Sequence, residues 1–440
     1  MLRTLIFALS LLSITAHANT IMNMKARSEL IDAILVERFE TVLPDIMNRT
    51  GIDMWVIMSR EYNEDPVLKT MLPSTWISAR RHTMLVIYNP GDGKPLERLA
   101  VARYAVGELF EKAWDKEAQP DQWQALRDII EQRDPKKIAI NKSYAFALAD
   151  GMTSSEHNDF MSILTPRLKK RVVSGEKLAI GWLETRSALE MEHYPTLTQI
   201  GHDLIAKAFS NDVITPNKTT TDDVVWWLRD QTRALGLTNW FHPTVSIQRA
   251  DNEDFDQIKA FSKRPGENVI RPGDLIHVDF GITYLRLNTD QQQHAYILKP
   301  GETDAPEGLK AALAAGNRLQ DILMSNFKRG RTGNTILKMS REQAIEEGIT
   351  PAIYTHPLGL HGHAAGPTIG MWDAQEGVPT KGDYPMYPDT AYSIELNAAS
   401  NVPEWGKEIR IMLEEDAFFD GKNVTFLDGR QTAFHLIRSE

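Results

Sequence analysis

The chain has 440 residues, of which 42% are hydrophobic and 25% charged, a balance that is typical of folded globular proteins and excludes a disordered or fibrous chain. Its 49 basic and 59 acidic side chains leave a formal net charge of −10, which argues against a nucleic-acid partner held through its phosphates. The sequence contains no cysteine, so disulfides, thiol catalysis and cysteine-ligated metal sites are excluded.

The N-terminus has the features of a secretory signal peptide. Arg3 precedes an apolar run at residues 5–14, and Ala16 and Ala18 provide the small residues typical of a cleavage site. The run is too short to cross about 30 Å of lipid, and no later segment reaches the roughly 18 apolar residues of a membrane span. We therefore predict a signal peptide at residues 1–18, export to the periplasm or the medium, and no membrane partner for the mature chain.

The first half of the chain alternates short apolar runs with helical patterns. Residues 54–58 and 84–88 are predicted to be buried strands, and residues 121–132 have the apolar spacing of a helix. Strands that alternate with helices predict an α/β domain, which we place at residues 19–175. This half contains no phosphate-binding loop, dinucleotide-binding motif or nucleophile elbow.

The second half, residues 176–440, is predicted to form a second domain of helices followed by strands. We predict that Pro195 interrupts a helical region at residues 184–209, and we interpret Trp226 and Trp227 as core residues. The further predicted elements are helices at 306–327 and 332–348 and successive strands over 392–436.

Two aspartates in this half lie in or beside apolar strand patterns. Asp279 stands among apolar neighbours, and Asp290 follows it by eleven residues at the start of another strand-like run. A buried carboxylate is costly unless it is paired or metal-bound, and two carboxylates within about 4 Å repel each other unless a cation lies between them. Two strands with a tight connection would bring these acids together, although each taken alone is also compatible with a solvent-facing turn.

A histidine-rich segment and three glutamates complete the set of candidate residues. His356, His361 and His363 fall within eight residues whose prolines and glycines exclude a helix, and this composition favours ligation or catalysis. Glu395 lies in an apolar strand pattern, and Glu414 and Glu415 lie in another. Carboxylates and imidazole without sulfur suit manganese, zinc, cobalt or iron, and four carboxylates with one histidine favour two bridged ions over one.

The order and spacing of these residues resemble the pita-bread metallopeptidases, the family of methionine aminopeptidase, Xaa-Pro aminopeptidase, prolidase and creatinase. The segment from His356 to His363 matches the family motif H-x-x-G-x-x-x-H. By this resemblance His363 contacts substrate and Glu395 is also a proton shuttle. The last ligand is either Glu414 or Glu415, with Glu414 preferred. The implied metal ligands are Asp279, Asp290, His356, Glu395 and Glu414.

The resemblance also implies the fold and the activity. It implies a creatinase/prolidase-like N-terminal α/β domain, followed by a pita-bread catalytic domain with a curved antiparallel sheet flanked by helices. The N-terminal domain argues against methionine aminopeptidase, and the retained ligands argue against creatinase. The implied activity is that of an Xaa-Pro aminopeptidase or dipeptidase that binds two divalent ions, manganese foremost, and cleaves proline-containing peptides through a metal-bridged hydroxide. A homodimer is a further implication, since relatives commonly dimerise.

The substrate-contacting residues depart from the family pattern. Residues 260–264, around Phe261, contain no histidine where the family usually has one that contacts substrate, and Met412 stands where the family often has arginine. Two alternatives therefore stay open. One is a catalytically silent pita-bread domain that acts as a binding module, and the other is a metallohydrolase of a non-peptide amide, an ester or a phosphotriester.

Overall fold

The structure, a computed structural model, describes residues 21–251 and 268–439. The predicted signal peptide and the segment around Phe261 lie outside the described residues. The described chain divides into two compact units, one formed by Met24–Glu190 and the other by Met191–Glu440 with residues 21–23.

The first unit contains a mixed six-stranded sheet in the order β4-β3-β2-β1-β5-β6. Its strands are β1 (Met54–Arg60), β2 (His82–Tyr88), β3 (Glu97–Val101), β4 (Glu111–Lys112), β5 (Ile138–Ile140) and β6 (Val172–Ser174). Its helices are α1 (Met24–Glu40), α2 (Val42–Thr50), α3 (Pro66–Met71), α4 (Gln122–Arg133), α5 (Ser154–Ile163), α6 (Pro166–Lys169) and α7 (Glu176–Glu184). Both predicted strands and the predicted helix at 121–132 are present, and Asp121 caps α4 by accepting hydrogen bonds from the backbone N–H groups of Trp123 and Gln124.

The second unit combines four helices with several small sheets in the part of the chain that the structure describes. The helices are α8 (Ala188–Ala208), α9 (Thr221–Ala234), α10 (Glu307–Ser325) and α11 (Gly333–Glu346). The strands are β7 (Thr238–Asn239), β8 (Thr244–Gln248), β9 (Leu275–Phe280), β10 (Ile282–Tyr284), β11 (Leu287–Asn288), β12 (Gln291–Ile297), β13 (Thr350–Ile353), β14 (His356–Leu358), β15 (Thr390–Ser393), β16 (Leu396–Val402), β17 (Lys407–Leu413), β18 (Asp416–Phe419), β19 (Val424–Phe426) and β20 (His435–Ile437).

Three of these sheets supply the frame of the candidate site. Their strand orders are β20-β12-β9-β8, β14-β15-β18-β19 and β13-β16-β17, and all neighbours are antiparallel except β12 and β20. Helix α10 packs its buried side chains, among them Leu309 and Leu313, into one core with Ile411 and Leu413 of β17. Helix α10 thereby covers the apolar side of β16 and β17.

The structure corrects two details of the sequence interpretation. Helix α8 continues through Pro195, and the break in the helical region falls earlier, at residues 185–187. There Glu190 accepts a hydrogen bond from the backbone N–H of Ser187 and forms an ion pair with Arg38 at 2.7 Å. Pro195 removes one helical donor, but the packing of α8 overrides that loss. Trp226 is not a core residue, since 51% of it is exposed and its ring stands edge-on to His242. No helix in the described part of the chain combines the length and apolar character needed to cross a membrane.

Candidate metal centre

A hairpin of β9 and β12 brings the two aspartates together. The strands pair with Asp279 opposite Gln292, and Asp290 directly precedes β12. The chain between them forms the small β10–β11 hairpin, whose two turn residues, Leu285 and Arg286, have φ angles of 52° and 68°. Such positive φ values match the twist of a two-residue hairpin turn. This turn keeps the connection short enough for the two carboxylates to face the same space.

The remaining candidates come from the other two sheets. His356 begins β14 and pairs with Ser393 of β15, which places it near Glu395, two residues further along the chain. Glu414 follows β17 directly, and its backbone pairs with Gln292 of β12 through hydrogen bonds of 3.0 and 3.3 Å. The pairing of Gln292 with Glu414 joins the sheet of the aspartates to the sheet that ends at Glu414.

All five predicted ligands converge in the structure. His356 Nε2 lies 3.6 Å from Asp290 Oδ2, 3.9 Å from Glu395 Oε2 and 3.6 Å from Glu414 Oε1. Asp279, Asp290 and Glu414 also offer oxygens that lie within 4.8 Å of one another. Four carboxylates and one imidazole therefore face a common space.

Glu415, the alternative to Glu414, points elsewhere. Its Oε2 lies 2.5 Å from Nε2 of His202, and its Oε1 accepts a hydrogen bond of 2.9 Å from the backbone N–H of Gln431. The structure therefore groups Glu414, and not Glu415, with the other four candidates.

The buried acids of the site lie close together, so their ionised forms repel one another unless positive charge is present. Burial, together with the nearby charge of Glu414, raises the pKa values of Asp279, Asp290 and Glu395 well above their ordinary range. Buried carboxylates of this kind either hold protons or are neutralised by a cation.

Three buried atoms of the site fit metal ions as partners. Asp279 Oδ1, Asp290 Oδ1 and His356 Nε2 are buried and have no hydrogen-bond partner among the described residues. His356 Nδ1 lies 3.0 Å from the carbonyl oxygen of Pro357, so Nδ1 carries the proton and Nε2 offers a lone pair to the site. Unpaired buried polar atoms are rare in folded proteins, and divalent cations bound at the site would give these three atoms partners.

His363 and Trp240 border the site on one side. The His363 ring is exposed, stands edge-on to His356 with centroids 4.7 Å apart, and lies 5.2 Å from the ring of Trp240. Trp240 also lies directly over Gly362, where an added Cβ would overlap the indole ring. Sequence reasoning did not single out Trp240, because nothing local indicates a contact with a segment that is about 120 residues away.

Two polar residues next to the ligands were also missed. Gln292 is buried and donates hydrogen bonds of 2.6 Å to both Glu395 and Glu414, and His277 lies 2.8 Å from its amide oxygen. A signal was present in the sequence, because residues two apart on a strand share a face. That alternation puts His277 beside Asp279 and Gln292 beside Asp290.

The family follows from a sequence comparison. Residues 196–416 match the model of metallopeptidase family M24, which is half of the chain. The chain belongs to metallopeptidase family M24. This is a family of peptidases that use divalent metal ions, and it implies peptides as the substrate class. The acidic site lies within the matched segment. A comparison with curated proteins finds no match.

Solved structures of an aminopeptidase and a dipeptidase share the fold over nearly the whole chain. An X-Pro aminopeptidase from Thermotoga maritima is 17% identical with a TM-score of 0.61, and the alignment covers 90% of this chain and 99% of that one. An Xaa-Pro dipeptidase from Bacillus anthracis is 15% identical with a TM-score of 0.59, covering 94% and 100% of the two chains. The family model confirms the predicted family, and these structural likenesses confirm the predicted fold class.

Proposed function

We propose that this M24 member is a dinuclear metal-dependent Xaa-Pro aminopeptidase or dipeptidase. The observation that carries the proposal is the convergence of four carboxylates and one histidine, three of whose buried atoms have no partner among the described residues. A set of this kind suits two bridged cations better than one, because four acids exceed what a single ion with an open position needs.

The ligand set offers places for two ions. Asp279, Asp290 and Glu414 are close enough to hold one ion, and His356, Glu395 and Glu414 to hold the other. Oxygen and imidazole ligands without sulfur suit manganese, with zinc, cobalt and iron as other candidates. When bound, such ions supply Lewis acidity for the peptide carbonyl and lower the pKa of a water nucleophile.

The protein's own residues supply proton transfer and positioning. Glu395 Oε2 faces the common space, 3.9 Å from His356 Nε2, where a carboxylate is placed to take a proton from water and pass it to the departing amine. His363, exposed beside His356, is placed to donate a hydrogen bond to the peptide oxygen as charge develops there. The Trp240 ring beside His363 offers an apolar wall to a substrate side chain.

Metal titration of the chelator-stripped chain tests the site. We expect manganese to bind with a stoichiometry near two in wild-type protein, and Asp290→Ala to lose binding because Asp290 borders both histidines and the other acids. Glu342→Gln is the charge control, since Glu342 is an exposed carboxylate of α11 in the same unit. A folded wild-type chain that binds no manganese would overturn the proposal and favour a binding module.

A substrate panel tests the activity. We expect the manganese-loaded chain to cleave Xaa-Pro dipeptides or the first bond of longer Xaa-Pro peptides, and chelation to abolish cleavage. Carboxyl esters and phosphotriesters belong in the same panel. Turnover of these and of no peptide would replace the proposed peptidase by a hydrolase of another bond, and full peptidase activity in His356→Ala would remove the metal site from the mechanism.

We also propose that the protein is exported after cleavage of residues 1–18. The proposal rests on the charged start, the apolar run and the small residues at positions 16 and 18. N-terminal sequencing of protein recovered from the exported fraction of a bacterial host tests it. Cleavage after Ala18 is the expected result, and protein that keeps Met1 in the cytoplasm would refute it.

A further inference from the structure

Gln292 lies between the two glutamates of the candidate metal centre. Its amide nitrogen is 2.6 Å from Glu395 Oε1 and 2.6 Å from Glu414 Oε2. A primary amide has two N–H donors, so each glutamate receives one of them. The side chain is buried, and its backbone pairs with that of Glu414, which fixes it in place beside the carboxylates.

His277 fixes the orientation of this amide. His277 Nε2 lies 2.8 Å from Gln292 Oε1, and the Ser246 hydroxyl lies 3.4 Å from His277 Nδ1. An amide oxygen only accepts hydrogen bonds. His277 Nε2 therefore carries the imidazole proton and donates a hydrogen bond to Gln292 Oε1. With its oxygen bonded to His277, the amide must direct both N–H groups toward the glutamates.

We propose that Gln292, held by His277, is a positioning residue that sets the orientation of Glu395 and Glu414 for cation binding. The inference rests on the proposed metal-dependent function. The amide binds one oxygen of each glutamate and leaves Glu395 Oε2 and Glu414 Oε1 on the side of His356, 3.9 and 3.6 Å from its Nε2. Ser393, which donates to Glu414 Oε1, assists at that residue.

The physical benefit is preorganisation of two like charges. Glu395 and Glu414 repel each other when ionised, and without a shared donor each would rotate toward water or take up a proton. Hydrogen bonds to charged acceptors are among the stronger ones in proteins, and residues that orient metal ligands typically change metal affinity by about 10- to 100-fold. We therefore expect the loss of the Gln292 amide to weaken metal affinity.

The neighbouring Gln293 provides a matched control. It lies on the same strand with its side chain on the opposite face, where its amide contacts Glu415 at 3.3 Å and His435 at 2.8 Å. Gln292→Met and Gln293→Met remove the same amide from the same strand. We expect manganese titration of the stripped full-length chain to show affinity at least about tenfold weaker in Gln292→Met and within about twofold of wild type in Gln293→Met.

A double-mutant cycle tests the part played by His277. If His277 acts through Gln292, His277→Phe weakens manganese binding in the wild-type background and has no further effect in Gln292→Met. Equal losses in both backgrounds would overturn the pairing. If Gln292→Met does not fold, the manganese affinity of His277→Phe is compared with that of Gln293→Met. An affinity equal to that of this control would overturn the role of the His277–Gln292 pair.

The substitution Gln292→Glu tests whether the Gln292 amide acts by donating hydrogen bonds to the two glutamates. If the amide orients the glutamates through its N–H groups, the added carboxylate loses both donated hydrogen bonds and repels Glu395 and Glu414, so manganese binds more weakly. Unchanged or tighter binding in Gln292→Glu would show that the donated hydrogen bonds do not set the metal affinity and would overturn the inference. Wild-type protein without manganese binding refutes the proposed function, whereas wild-type binding that Gln292→Met leaves intact refutes this inference alone.

Discussion

Glu414 and Glu415 are adjacent in the chain and face opposite surroundings. Glu414 meets His356, Gln292 and the aspartates, while Glu415 is bonded to His202 and to the backbone of Gln431. Alternation along an extended backbone produces this separation, since successive side chains point to opposite faces. The sequence identifies two acids here but leaves open which of them faces the metal site.

We expect the two residues to differ sharply on substitution. Glu414→Gln should weaken manganese binding by more than about 100-fold, because even residues that only support a ligand are worth 10- to 100-fold. Glu415→Gln should leave the stoichiometry unchanged, because its partners are His202 and the Gln431 backbone. Titration calorimetry on both variants, with circular dichroism to establish folding, makes the comparison, and stronger loss in Glu415→Gln would reverse the assignment.

The elements around the site differ in how far they can be predicted from sequence. The strand that carries Asp279 is apolar on both sides of the acid, and the segment from His356 to His363 contains an ordered motif, so both were identified. Contacts between distant segments leave no local signal. Trp240 over Gly362 is one example. Alternation places His277 on the face of Asp279 and Gln292 on the face of Asp290, but it does not show that the two side chains bond to each other across the strands.

The packing of Trp240 on Gly362 yields a prediction for the loop that carries His363. Gly362→Ala would place a methyl group against the indole ring, so that either Trp240 or the loop must move. We expect kcat/KM for peptide to fall about 10- to 100-fold, since small displacements of a positioned group have effects of that size, and manganese stoichiometry to stay unchanged. In a Trp240→Leu background the same substitution should have little further effect. Loss of metal binding in Gly362→Ala would contradict the separation of substrate contacts from the metal site.

Helix α7 of the first unit contains a buried acid with a distinct pH signature. Glu184 is fully buried, both its oxygens lack a hydrogen-bond partner among the described residues, and Arg49 lies 3.6 Å away. Burial outweighs the attraction of Arg49 and raises the pKa of Glu184 to about 8. The folded state therefore holds the proton more tightly than the unfolded state does, and this stabilisation is lost as the pH rises from about 4 toward 8.

Glu184→Gln should remove that pH dependence. Between pH 5 and pH 8 we expect the free energy of unfolding of the wild type to fall, relative to that of the variant, by an amount on the order of a few kcal/mol. Denaturant unfolding at several pH values measures the difference. Glu29→Gln, an exposed carboxylate of α1, serves as the control and should show no such slope. A constant difference between wild type and Glu184→Gln would mean that Glu184 stays ionised throughout.

At the scale of the whole molecule, composition and alternation of elements predict the α/β class, and the structure agrees with it. Continuity of particular elements is less predictable, because packing can override a local preference. Helix α8 runs through Pro195 for this reason, and Trp226 at the surface shows that an apolar residue in a helical pattern need not be buried. The candidate ligands were predictable because burying an acid in an apolar strand is costly without a compensating partner.

All five candidate ligands lie in the unit formed by Met191–Glu440. We therefore expect bound metal to stabilise that unit of the chain. A ligand that binds only the folded state, present at about 100 times its dissociation constant, adds about 2.7 kcal/mol to stability. Hydrogen exchange should therefore slow by up to about 100-fold in β9, β12 and β17 when manganese is added to the stripped chain, because those strands carry or adjoin Asp279, Asp290 and Glu414. Strands β1 and β2 of the first unit should exchange at unchanged rates, since they contribute no ligand. Equal slowing in both units would mean that the chain opens as a single cooperative body, and no slowing in either would contradict metal binding at this site.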